Sequence, residues 1–172
     1  MRTLRSHLHA IAVQRVTPLR LVAYASRYPG SVDLTLQSAT PAIFLVENRE
    51  GFGSIGAVVG AFTGQLITPE APTRPGEWVS IYANGLGPVD GGPPSGALSG
   101  LAPLSGPIKI VLSAREQAWQ CEYNYAGLVP GFVALYQVNA RLPENLPLGT
   151  YELVLEVDGR VSNTVALAVA AN

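Results

Sequence analysis

Charge, histidine, cysteine and aspartate are all scarce in this 172-residue chain, and each shortage removes a class of function. Charged residues are only 13% of the total, with a net charge of −1 and no run of one sign. The clustered Lys and Arg footprint that a nucleic-acid backbone requires is therefore missing. The two histidines are His7 and His9. Both sit near the start, so no Ser-His-Asp machinery is expected along the rest, and no G-x-S-x-G occurs. Cys121 is the lone cysteine, which excludes an internal disulfide. It reads as a small apolar residue, because a reactive thiol needs a basic neighbour and the nearest in sequence is Arg115. The three aspartates, Asp33, Asp90 and Asp158, are far apart. Asp90-Gly91-Gly92 alone makes a poor calcium loop. No apolar run approaches the length of a membrane-spanning helix, so no membrane insertion is expected.

What is present is a core and its punctuation. Hydrophobic residues make up 48%, with 18 glycines and 14 prolines spread between short apolar runs. That arrangement favours many short strands over helices. Three zones follow. Residues 1–38 hold an arginine-bearing arm and two strands, Leu19 to Tyr24 and Ser31 to Leu36, joined through Arg27-Tyr-Pro-Gly30. Residues 39–73, from Thr40-Pro-Ala-Ile-Phe-Leu-Val46 onward, read as a Gly/Pro-rich connecting segment. Residues 74–172 read as a complete β-sandwich.

Within the third zone, Val79 and Ile81 alternate with Trp78, Ser80 and Tyr82, and residues 88–107 form a long Gly/Pro/Ser-rich loop. Ile108, Ile110 and Leu112 alternate next. Trp119 to Tyr125 and Val133 to Leu142 supply two further strands. Tyr151, Leu153, Leu155 and Val157 alternate with Glu152, Val154 and Glu156, the clearest half-buried strand in the chain. Asp158-Gly159 predicts a tight hairpin turn, and Val165, Leu167 and Val169 close the fold. Tyr28 to Gln37 repeats the pattern of Val161 to Ala170, so residues 1–38 read as the tail of a partial second module. Its Val32, Leu34 and Leu36 face needs a cover, either the third zone of the same chain or a partner's sheet in a homodimer formed through residues 1–38, and the homodimer is the favoured expectation.

Five motifs in order carry a family resemblance: Pro41-Ala-Ile-Phe44; Arg74-Pro-Gly-Glu-Trp-Val-Ser-Ile-Tyr-Ala-Asn-Gly-Leu-Gly-Pro88; Tyr125-Ala-Gly-Leu-Val-Pro-Gly-Phe132; Tyr136-Gln-Val-Asn-Ala-Arg-Leu-Pro143; and Ser162-Asn163. Over residues 41–170 the chain resembles the uncharacterised C-terminal domain of Solibacter and other acidobacterial exported proteins. More distantly it is similar to the immunoglobulin-like IPT/TIG fold. The resemblance implies a secreted or cell-surface parent protein and carries no catalytic residues. The apolar run from Ala10 to Val13 is too short for a signal-peptide core of about 7–15 residues. Met1 is accordingly expected to be an internal start in a longer exported gene.

Four constellations offer chemistry. Gly51-Phe-Gly53-Ser-Ile-Gly56 fits G-x-G-x-x-G, but Gly60 and Gly64 make the following segment a poor helix, so no cofactor is expected. His7 and His9 would share one side of an extended arm and could touch copper or zinc. Glu122, Arg115, Cys121 and the histidine arm are the groups a small hydrolase or metalloenzyme would draw on. Trp78, Tyr82, Trp119, Tyr123 and Tyr125 could form a stacking platform for polysaccharide. The expectation is an all-β, immunoglobulin-like module for adhesion, spacing or assembly with other protein modules. A carbohydrate-binding accessory domain is the first alternative and the enzyme the second.

Overall fold

The computed structural model describes residues 19–25, 28–34, 37–47 and 54–171. His7 and His9 lie outside these. The described residues contain strands and no helix. The chain is all-β and divides between Gln37 and Ser38.

The first unit contains β1 (Leu19–Ala25) and β2 (Tyr28–Leu34), which pair antiparallel from Leu19 opposite Leu34 to Ala25 opposite Tyr28. The expected turn over Arg27 to Gly30 is thus displaced. β2 already begins at Tyr28, and Pro29 and Gly30 belong to the strand. A proline is tolerated where its missing N–H faces away from the ladder, as at a sheet edge.

The second unit begins with β3 (Ala42–Ile43), β4 (Leu45–Glu47), β5 (Ser54–Gly56), β6 (Val58–Gly60) and β7 (Trp78–Asn84). It continues through β8 (Ala102–Pro103), β9 (Ile108–Ala114), β10 (Gln117–Leu128) and β11 (Tyr136–Arg141). β12 (Gly149–Val157), β13 (Arg160–Val161) and β14 (Val165–Val169) complete it. β3 and β6 both pair with β7. Residues 39–73 therefore supply strands to the sandwich instead of merely connecting to it. The same strands remove the dinucleotide reading: Gly51 and Gly53 lie outside the described residues, but strand, not helix, follows Gly56.

One ten-stranded antiparallel sheet runs β13-β12-β9-β10-β11-β7-β3, with β14 on β12, β6 on β7 and β8 on β10. It curls because β10 serves both halves. Gln117 to Cys121 pair with β9, and Glu122 to Leu128 pair with β11. The register shifts between Tyr123 and Tyr125, and such a bulge bends and twists a strand at a corner. The two halves then face each other across the core. Ile110, Leu112, Leu153, Leu155 and Leu167 come from one side, and Ile43, Val58, Val79, Ile81 and Val138 from the other. The alternation expected for β9, β12 and β14 is present residue by residue. Asp158 and Gly159 both take positive φ, 51° and 71°, as a tight hairpin between β12 and β13 requires.

The side of the sandwich away from β10 is closed by the Ser162-Asn163 motif. Ile43 N–H donates to Asn163 Oδ1 at 2.7 Å, and Asn163 Nδ2 donates to Ile43 O at 3.1 Å. One amide side chain thus mimics a missing strand neighbour. Ser162 completes the join, its hydroxyl accepting from Leu155 N–H at 3.0 Å. Asn163→Ala should leave both Ile43 backbone groups without these partners and cost about 2 kcal/mol, read as a lower denaturant midpoint with an unchanged m-value.

Candidate functional site

The sequence motifs do not converge on one place, and the structure sorts their residues into three surfaces. The first is a groove of about 650 Å³ at one end of the sandwich. It lies between the β9–β10 turn and the start of β12. That turn is made of two residues, Arg115 and Glu116, since Ala114 pairs with Gln117. Arg115 has φ 55°, a left-handed conformation that costs a residue with a Cβ about 1–2 kcal/mol. Trp119 is half-buried in the groove and meets Tyr151 edge-on, with ring centroids 5.4 Å apart at 85°. The Tyr151 hydroxyl donates to Pro147 O at 2.5 Å, which ties down the loop leading into β12. Arg115 and Gln117 border the groove at the hairpin end that carries Trp119, whereas Ser113, Thr150 and Glu152 border it at outward positions that alternate with Leu112 and Tyr151.

A second surface is the outer face of β7, β11 and the far half of β10. Val79, Ile81 and Ala83 point into the core, so Trp78, Ser80 and Tyr82 occupy the other side, as expected. Their register partners on β11 are Arg141, Asn139 and Gln137. The centre is a self-contained polar network. Ser80 Oγ donates to Asn139 Oδ1 at 2.9 Å, and Gln137 Nε2 donates to the same oxygen at 2.7 Å. Tyr125 lies over Gly127, where a Cβ would sit 2.7 Å from its hydroxyl oxygen, and that hydroxyl donates to Leu128 O at 2.6 Å.

The five aromatics expected as one platform are therefore divided. Trp78, Tyr82 and Tyr125 share this face, Trp119 lines the end groove, and Tyr123 stands exposed at the β10 bulge.

The third surface is an apolar tip. Leu98 and Leu101 are 67% and 72% exposed, and Phe132 and Val133 are 54% and 51% exposed. Their two loops are fastened by Ser99. Its N–H donates to Phe132 O at 2.9 Å, and its carbonyl accepts from Gly131 N–H at 2.8 Å. Its buried hydroxyl sits 2.5 Å from Val129 O and 2.8 Å from Phe132 O. Val133 belongs to this tip and not to β11, which starts at Tyr136.

Among the described residues, the groups expected for hydrolysis, Glu122, Arg115 and Cys121, do not meet. Cys121 is buried in the core, and burial pushes its thiol up to about 12, far from a nucleophilic thiolate. Arg115 lines the end groove, whereas Glu122 lines a shallow recess of about 240 Å³ beside Arg141 and Glu144. Glu144 is held by Arg141 at 2.7 Å. Asp90, considered for calcium, accepts from the Ser105 hydroxyl at 2.6 Å. Among the described residues no three His, Cys, Asp or Glu side chains gather as a metal-binding group.

The tip and the groove were hidden from sequence reasoning for the same reason. Residues 98–101 and 131–133, like 113–119 and 147–152, become neighbours only through the folded sheet. The chain matches no known family model, no curated protein and no solved structure.

Proposed function

We propose that this chain is a non-catalytic β-sandwich module serving adhesion or assembly in a secreted or cell-surface protein. The observation that carries the reading is the apolar tip. Four large apolar side chains are each more than half exposed, on loops whose relative position is fixed by Ser99. Soluble monomers rarely present such side chains together, and doing so on a braced scaffold is characteristic of protein–protein contact. The exported setting follows from the motif resemblance to acidobacterial C-terminal domains, and a role beside other modules fits both. Residues 1–38 are the second element of assembly, pairing with their counterpart in a homodimer.

Sedimentation velocity of the whole chain over rising concentration tests this. Association is expected, and Leu101→Ser combined with Phe132→Ser should weaken it at least about tenfold, since buried apolar anchors dominate such contacts. Deleting residues 1–38 should reduce it further. A monomer at every concentration, with and without those changes, would refute assembly through either element.

A further inference from the structure

The end groove carries an observation that the assembly role does not use. Five polar side chains, Ser113, Arg115, Gln117, Thr150 and Glu152, line it. Among the described residues none of the five has a hydrogen-bond or ion-pair partner in the protein. The outer sheet face is different, because Ser80, Gln137 and Asn139 bond to one another there. Free donors and acceptors bordering a groove of about 650 Å³ that also holds a half-buried tryptophan have the size and chemistry of a small-ligand site.

The lining also selects a class of ligand. One cation and one carboxylate, Arg115 and Glu152, oppose each other in charge, so a strongly anionic or cationic ligand gains little. Hydroxyl and amide groups from Ser113, Thr150 and Gln117 both donate and accept. Trp119 supplies an apolar ring whose orientation is set by Tyr151. A neutral sugar ring has the matching character: one face of C–H bonds and a rim of hydroxyls. We propose that this groove is a binding site for a neutral saccharide, with Trp119 as the stacking surface and Arg115 and Gln117, at the hairpin end that carries it, as hydroxyl partners.

The backbone at Arg115 supports the assignment independently. Its φ of 55° is a conformation that glycine or asparagine adopts at less cost. Retaining arginine there stores strain at the rim of the groove, the pattern expected when a side chain is needed for binding.

The test uses the whole chain carrying Trp78→Phe, which leaves Trp119 as the sole tryptophan. Its fluorescence is titrated with cellotriose, maltotriose, xylotriose and mannotriose, and with trigalacturonate as the acidic counterpart. At least one neutral trisaccharide should give a saturable change at millimolar concentration or below. Arg115→Gly should weaken that binding about tenfold or more while leaving the melting temperature unchanged or raised. Gln117→Leu, at an exposed position, should weaken it with no loss of stability. Three results would overturn the proposal: no saturable response to any neutral sugar, binding indifferent to both variants, or trigalacturonate binding more tightly than every neutral sugar. None of these readings depends on association through the apolar tip.

Discussion

Leu155→Asp is expected to leave residues 38–172 unfolded at room temperature. Leu155 is 0% exposed at the centre of β12, paired with Ile110 on β9 and packed in the core. A carboxylate there has no partner, and burying it costs several kcal/mol, about the whole stability of an ordinary domain. The neighbouring position gives the contrast. Glu156 faces outward and accepts from Lys109 Nζ at 2.7 Å across the strand pair. The pair is partly exposed, with Lys109 more so than Glu156, so Glu156→Gln should cost no more than about 0.5 kcal/mol. Glu156→Lys is less innocent than its place on the wet face implies. It sets two ammonium groups directly opposite and should cost about 0.5–1 kcal/mol, relieved by salt. Far-UV circular dichroism and urea melts of the three variants distinguish these outcomes.

Gly85→Ala should be the next most damaging of the substitutions considered. Gly85 ends β7 with φ 67°, and a Cβ there would lie 2.1 Å from Thr40 O. The same contact is structural, since Thr40 N–H donates to Gly85 O at 2.8 Å. The backbone must therefore move at the junction that carries β3 onto β7. Gly91 supplies the control: φ is 66°, but nothing lies within 4 Å of its added Cβ. Gly91→Ala should show the conformational cost alone, about 1 kcal/mol. Gly85→Ala should lose about 3 kcal/mol or more, a fall in melting temperature of roughly 10 °C. Equal losses at the two positions would show that the Thr40 contact is not tight.

These two cases show which parts of the structure the sequence made legible. The β12 alternation names Leu155 as buried and Glu156 as outward without any coordinates, because a two-residue period allows only one register once a face is apolar. Asp158-Gly159 and the closing Val165, Leu167 and Val169 were readable for the same reason. β10 was not. Its odd positions, Trp119 and Cys121, keep one parity, and nothing in Glu122-Tyr-Asn-Tyr125 announces the bulge that exchanges faces. Residues 39–73 read as a linker because β3 and β6 are only two and three residues long and β6 lies among glycines. Such strands are held by pairing to β7, not by their own pattern. The Arg115 conformation is equally silent in sequence, since a left-handed turn residue is ordinarily announced by Gly or Asn. The aromatic set was legible as residues but not as a surface, because Trp119 and Tyr125 lie on opposite sides of that bulge.

A module of this kind requires residues 38–172 to be self-sufficient and residues 38–73 to be part of it. Thermal unfolding of two fragments, 38–172 and 74–172, followed by circular dichroism, tests this most directly. The longer fragment should be soluble and β-rich, with one cooperative transition. The shorter one, deprived of β3, β6 and the Ile43 partner of Asn163, should be unfolded or aggregated. A 74–172 fragment as stable as 38–172, or a 38–172 fragment that does not fold alone, would contradict the account.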